Sequence, residues 1–287
     1  MKLNNYLVLP FFLVAGAITF AQQDVQVTTA VDFWTTEQMS YYPEIDPYSI
    51  PDKEFQRGGM LSTKRQKKAD HLKQAEESPT NLDPLIQEGG FTREANPPSV
   101  SFDGVFSNVS PPDPSGAVGP NHIVEMTNSV WAVFDKSGNV APGFPKSIND
   151  PLGTGNGDPI VLYDREADRF LISQFKDPFS SSGSRFLVAI STTSDPTGSY
   201  NVFSFNPNGT IDYPHFGIYG NSYVITGNFS PTGRMYALNR EKMINGDASA
   251  EMVSLSLPNY SGGTVFNAPQ PAHSEGAGIA SGPVPIL

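Results

Sequence analysis

Asp158-Pro-Ile-Val-Leu-Tyr-Asp164, Arg169-Phe-Leu-Ile-Ser-Gln-Phe175, Arg185-Phe-Leu-Val-Ala-Ile-Ser191 and Tyr200-Asn-Val-Phe-Ser-Phe205 follow one another in the middle of the chain. Each is a short run of β-branched and aromatic residues. The intervals between them are rich in Asp, Pro, Ser and Gly, so the pattern reads as four consecutive strands joined by turns. In 169–175, Phe170, Ile172 and Gln174 point one way, and Leu171, Ser173 and Phe175 the other. Large apolar residues stand on both sides, which predicts a strand packed between two layers.

Similar units flank this one. Before it stands Asp113-Pro-Ser-Gly-Ala-Val-Gly-Pro-Asn-His-Ile-Val-Glu-Met-Thr-Asn128, then Val130-Trp-Ala-Val-Phe-Asp135. After it come Asp212-Tyr-Pro-His-Phe-Gly-Ile-Tyr219, Ser222-Tyr-Val-Ile-Thr-Gly-Asn228, Arg234-Met-Tyr-Ala-Leu-Asn-Arg240 and Glu251-Met-Val-Ser-Leu-Ser-Leu257. The leading residues Asp113, Asp158 and Asp212 are 45 and 54 positions apart. Four-stranded repeats of roughly 40–50 residues are the period of propeller blades. The expected fold is therefore all-β: a partial β-propeller of about three four-stranded blades over residues 99–287. A β-sandwich, which also turns at short intervals, is the rival. A propeller needs at least about four blades, and a closed ring removes open edges. The Pro/Gly/Ala-rich residues 267–287 offer no closing strand, so the chain is expected to be the N-terminal fragment of a longer protein.

Composition agrees with an all-β reading. Charged residues are only 16%, and their share goes to 26 Gly, 26 Pro and many Ser, Thr and Asn, a turn-rich profile. The net charge of −11 disfavours nucleic-acid binding, since phosphates must be met by Lys and Arg. The absence of Cys excludes disulfides, thiolate metal sites and cysteine nucleophiles.

Met1 and Lys2 precede an apolar stretch from Tyr6 to Phe20, and Ala21 offers a cleavage point. This predicts a signal peptide over 1–21 and a protein secreted or held at the outer cell surface. No other segment reaches transmembrane length. Residues 22–98 read as an N-terminal extension and linker. They include a β-prone part with Val25, Val27, Phe33 and Trp34 and a stretch at 53–77 holding 7 of the 18 Lys and Arg residues. That density suits a solvated helix or disordered linker, or alternatively a basic tether to an acidic surface.

The Asp113, Gly157-Asp158 and Asp212 segments resemble large exported β-propeller proteins of Bacteroidetes-type bacteria, sialidase-like in fold, over residues 99–270. Such proteins often end in a C-terminal sorting domain, and the resemblance carries little chemistry. A sialidase-like site would need three Arg to clamp a carboxylate, with a Tyr–Glu pair and a general acid. Arg165, Arg169, Arg185, Arg234 and Arg240 are available, although three of these open strands, where an Asp-paired or solvated role is the plainer reading. Residues 193–200 (Thr-Ser-Asp-Pro-Thr-Gly-Ser-Tyr) are similar to an Asp-box, a structural turn, with Tyr200 where that turn has Trp.

Among the residues themselves, Asp113, Asp158 and Asp212 either cap turns or line the axial entrance, where they would touch a glycan or hold Ca²⁺. No EF-hand run is present, His71, His122, His215 and His273 show no zinc spacing, and no nucleophile elbow or phosphate loop occurs. The expected function is a non-catalytic module binding a glycan or a surface protein, with Asp113, Asp158, Asp212, Tyr213, Tyr219, Arg165 and Arg185 as candidate contacts. The alternatives are a sialidase-like glycoside hydrolase completed by further blades, and a rigid spacer.

Overall fold

The computed structural model describes residues 25–51, 53–54, 98–229, 234–256 and 269–274. The signal segment 1–21, most of the basic stretch 53–77 and most of residues 267–287 lie outside them. The strands in chain order are β1 (Val25–Thr29), β2 (Asp32–Thr35), β3 (Lys53–Glu54), β4 (Val109–Ser110), β5 (Ser115–Val118), β6 (His122–Met126), β7 (Val130–Asp135) and β8 (Lys146–Ser147). Then follow β9 (Ile160–Asp164), β10 (Arg169–Lys176), β11 (Arg185–Ser191), β12 (Tyr200–Phe205), β13 (His215–Tyr219), β14 (Ser222–Thr226), β15 (Arg234–Asn239) and β16 (Glu251–Ser256).

They form three antiparallel sheets, none closed into a barrel, plus a small parallel pair of β3 with β4. The first sheet is β5-β6-β7-β8, the second β9-β10-β11-β12 with β2, and the third β13-β14-β15-β16 with β1. Within each sheet the four consecutive strands run up and down, as the apolar runs of the second and third units predict; in the first unit the two-residue β8 carries no such run. Short turns enforce this order. Tyr219 pairs directly with Ser222, so only Gly220 and Asn221 join β13 to β14, and Gly220 takes the positive φ of 54° that such a hairpin requires.

The three sheets stack in sequence order, with the second in the middle. Phe170, Ile172, Leu187, Ala189 and Val202 face Val124, Met126, Trp131 and Val133 of the first sheet. Leu171, Phe175, Phe186, Val188 and Phe203 face Phe216, Ile218, Tyr223 and Tyr236 of the third. This accounts for apolar residues on both faces of β10. Both layers carry aromatic contacts, including Trp131 edge-on to Tyr200 at 6.1 Å and Phe186 edge-on to Tyr236 at 5.4 Å. The outer face of the first sheet is covered by residues 102–105: Phe102 packs on Phe134 at 5.2 Å, and the Val105 amide donates to Glu125 Oε2 at 3.0 Å.

The extension at 22–98 is more than a linker at its start. Strand β1 pairs with β16 from Val25↔Leu255 to Thr29↔Glu251, and β2 pairs with β12 from Asp32↔Ser204 to Thr35↔Asn201. One short segment thus covers the outer edges of two sheets, edges that would otherwise expose unpaired backbone groups. Phe33 then lies 4.9 Å from Phe203.

A buried ion pair joins the second sheet to the third. Asp164, at the end of β9, accepts from Arg240 Nε at 2.6 Å and Nη2 at 2.8 Å, from Tyr223 Oη at 2.9 Å and from the Ala167 amide at 3.0 Å. Arg240 begins the short helix Arg240–Ile244, whose Asn239 cap accepts from the Lys242 amide at 3.2 Å. Burial alone would raise the Asp164 pKa. The hydrogen bonds from Arg240, Ala167 and Tyr223 outweigh it and hold the carboxyl below its ordinary value.

Candidate binding site

The first strands of the three units lie together and run the same way. The Val161 amide donates to Ser115 Oγ at 3.0 Å near their starts, and Gly119, just past the end of β5, lies against Phe170 and Tyr163. The chain therefore enters the first strand of each of the three sheets at the same end. Two residues before each strand stands a non-glycine residue with positive φ followed by proline: Asp113 (42°), Asp158 (47°) and Tyr213 (52°). The structural counterpart of Asp113 and Asp158 is thus Tyr213, and Asp212 stands one place earlier. Left-handed backbone at such residues is strained, and it recurs where the surroundings hold it in place.

Asn128 is what holds it. Its Nδ2 donates to Pro111 O at 2.8 Å and to Asp113 Oδ2 at 2.7 Å, and its Oδ1 accepts from the Asp158 amide at 2.7 Å. Asp158 Oδ2 in turn accepts from the Tyr213 amide at 3.3 Å. A polar chain from Asp113 through Asn128 and Asp158 to Tyr213 ties the three entrances together. Gly157, with φ of 94°, packs on Asn128, and any Cβ there would collide with the amide. The backbone repeats the motif in every unit: Asn128 N donates to Pro112 O, Phe175 N to Gly157 O and Asn228 N to Asp212 O. The Asp113 carboxylate thus bonds the Asn128 side chain, and that of Asp158 the amide of the next unit's entry turn. Among the described residues no three His, Cys, Asp or Glu side chains cluster as a metal centre would require.

Exchanging Asn128 for Ala is expected to destabilise the fold by about 1–3 kcal/mol, because the Asp158 amide loses its buried acceptor. Urea denaturation checks it, and an unchanged midpoint would contradict the clamp.

Beside Asn128 opens a cleft of about 450 Å³ lined by Ser129, Ser147, Asn149 and Asn156, with Ile50 and Ile148 as apolar wall; among the described residues no charged side chain lines it. Asn149 Oδ1 accepts from the Gly155 amide at 3.2 Å, and Asn156 Oδ1 from the Asp177 amide at 2.7 Å. Both amides are thereby oriented, and each keeps an Nδ2 donor with no protein acceptor among the described residues. Next in sequence to the lining residue Ser49, Tyr48 stacks on Phe106 at 4.3 Å and 15°, and Tyr48 is 72% exposed. The neighbours of this pair tie it to the cleft: Ser49 and Ile50 line it, and Ser107 Oγ lies 3.0 Å from Ser129 Oγ. The Asp46 carboxylate sets the Tyr48 turn by accepting its amide at 3.0 Å.

The candidate residues from the sequence divide between two ends. Asp113, Asp158, Asp212, Tyr213 and Arg185 share the entry end. Arg165, in the β9–β10 turn, and Tyr219, the last residue of β13, stand at the other end. Tyr213 is exposed and meets His215 edge-on at 4.4 Å. Burial lowers the His215 pKa and keeps its ring neutral at pH 7. The turn at 193–200 is closed by Asp195, whose Oδ1 accepts from Thr197 N and Oγ1, and by Tyr200 Oη donating to Pro196 O at 2.8 Å. Asn128, Asn149, Asn156 and Tyr48 are new members of the site. The one sequence signal for them is that Asn128 and Asn228 end corresponding strands. Asn156 lies in the Gly-rich stretch 153–157, which carries no strand pattern.

Set against known proteins, the chain matches no family model, no curated protein and no solved structure. Fold and site define it at the level of class: an all-β protein of stacked antiparallel sheets, with a polar cleft that has no charged side chain among its described lining, at the entry end of the first strand of each sheet. No helix among the described residues is long and apolar enough to cross a membrane.

Proposed function

We propose that this is an exported cell-surface protein whose three sheets are blades of a β-propeller, and that its strand-entry face binds a glycan without cleaving it. The supporting features of the fold are the Asp-Pro or Tyr-Pro entry to each inner strand, the four up-and-down strands per unit and the face-to-face stacking in sequence order. The observation that carries the function is the pairing of the Tyr48–Phe106 stack with an uncharged cleft bearing oriented amides. Sugars present an apolar C–H face and a ring of hydroxyls; an aromatic platform suits the first, and fixed Asn and Ser groups the second. The position of Arg165 and Arg185 at opposite ends of the second sheet favours binding over sialidase-type hydrolysis. Asp113 and Asp158, both engaged in the entry clamp, are poorly suited to act as a proton-transferring pair.

Titration of the mature protein against a panel of soluble neutral polysaccharides tests the reading. Retention of at least one, weakened roughly threefold to tenfold by Tyr48→Ala, is the expected result. Tyr48 is exposed, so this variant should keep the wild-type unfolding midpoint. No binding across the panel, or binding indifferent to Tyr48→Ala, would remove the proposal.

A further inference from the structure

A second cleft, of about 320 Å³, opens on the far side of the loop that walls the first. Residues 148–157 form that loop. Asn149, Gly155 and Asn156 face the first cleft, while Leu152, Gly153 and Thr154 face the second. Gln174 Nε2 pins the loop by donating to Gly153 O at 2.8 Å. The second cleft differs in chemistry, because Lys176 and Arg185 line it together with Trp34.

Lys176 and Arg185 are direct cross-strand partners on β10 and β11. Like charges so placed destabilise a sheet unless something negative lies between them. Among the described residues neither makes an ion pair. Arg185 gives only Nη1 to protein acceptors, Ser182 O at 3.1 Å and Ser184 O at 2.7 Å, which leaves Nε and Nη2 available. The one acid in the lining, Asp32, stands on β2, two strands from Arg185, and its carboxylate accepts its neighbour's amide, Phe33 N, at 2.9 Å. The Trp34 ring abuts Gly153 and supplies an apolar wall. With Asp32 as the single acid of the described lining, a chain of net charge −11 thus places two cations side by side in a hollow beside an indole, an excess of one positive charge.

We propose that this second cleft takes the carboxylate of an acidic sugar unit, so that the glycan crosses the 148–157 loop with a neutral unit on one side and an acidic unit on the other. The inference rests on the glycan reading of the first cleft and adds the ligand class: a carboxylate-bearing polysaccharide. Lys176 and Arg185 donate charge-assisted hydrogen bonds to the acid, and Trp34 packs against the ring carrying it.

The test is isothermal titration of the mature protein with an oligogalacturonate and with its methyl ester, which keeps the sugars and removes the charge. The proteins are wild type, Lys176→Ala and Arg185→Gln, with inorganic sulfate as a charge-only probe. The acid should bind roughly tenfold to a hundredfold more tightly than the ester. That preference should collapse in both variants and shrink as salt is raised. Equal binding of acid and ester overturns the charged cleft and leaves the glycan reading intact, and so does a preference that survives both variants. Displacement of the acid by sulfate at matching concentration overturns recognition of a sugar. A preference lost in both variants but indifferent to Tyr48→Ala upholds the charged cleft and removes the aromatic site. Binding of neither probe overturns the inference. Lys176 is exposed, so Lys176→Ala keeps the test decisive if Arg185→Gln proves poorly folded.

Discussion

Replacing Arg240 with Met is expected to lower the free energy of unfolding at pH 7 by about 3–5 kcal/mol, the usual cost of leaving one member of a buried ion pair alone. The reason is geometric. Asp164 has only 2% of its side chain exposed and Arg240 only 10%, so water cannot replace the two hydrogen bonds that Nε and Nη2 donate. Glu166 also lies 3.3 Å from Arg240, but it is 72% exposed and adds little. The pH dependence follows from the depressed pKa of Asp164. The native carboxyl releases its proton more readily than the unfolded one. Its stabilisation is therefore present above the unfolded value of about 3.9 and is lost as pH falls through the lower folded value. In Arg240→Met the burial remains and the main compensating donor is gone, so the deficit should be largest near neutrality and shrink in acid. Urea titrations at pH 7 and at about pH 4 measure both effects. The double variant Asp164→Leu with Arg240→Met should recover only part of the loss: the uncompensated buried charge is gone, but Tyr223 Oη and the Ala167 amide lose their acceptor. A single variant as stable as wild type at pH 7 would show that the ion pair does not join the sheets.

Removing residues 1–36 from the chain should have a comparably large effect. The β1 and β2 strands supply the outer edges of the third and second sheets, and the segment buries Ala30 and Phe33 in one core and Trp34 in the other. Both aromatics are half-buried, so their loss alone accounts for on the order of 3 kcal/mol. Hydrogen bonds from Ala30 N to Ala250 O and from Val31 N to Ser204 O go with them. Two uncovered edges of this length invite pairing between molecules. The expected outcome is a lower unfolding midpoint in urea together with concentration-dependent association by light scattering. A shortened protein that stays monomeric and keeps its midpoint would mean that 25–36 is dispensable decoration.

Much of the fold is legible locally. The runs at 160–164, 169–176, 185–191 and 200–205 are bounded by turn residues, and alternation within β10 separates Phe170 and Ile172 from Leu171 and Phe175, which pack in different cores. The site is legible in part. Asp113 and Asp158 mark the entry turns because Asp-Pro recurs. The third turn places Tyr213 at positive φ, and Tyr-Pro gives no hint that it answers to Asp-Pro. Arg165 and Arg185 are alike in composition, each beside a turn, yet an odd number of strand crossings separates their ends.

By itself the sequence determined strand-rich secondary structure, the four-strand unit of the second and third sheets and the two-sided burial of β10, because these depend on residues a few positions apart. Tertiary structure decided that Val25 and Phe33 complete sheets whose partner strands lie far along the chain. It decided that Asn128 joins two entry turns while Asp158 passes the link to a third, and that Lys176 stands beside Arg185 in a cleft with Trp34. Such contacts join segments with no shared local pattern, and they form only when burial of the apolar faces brings the sheets together.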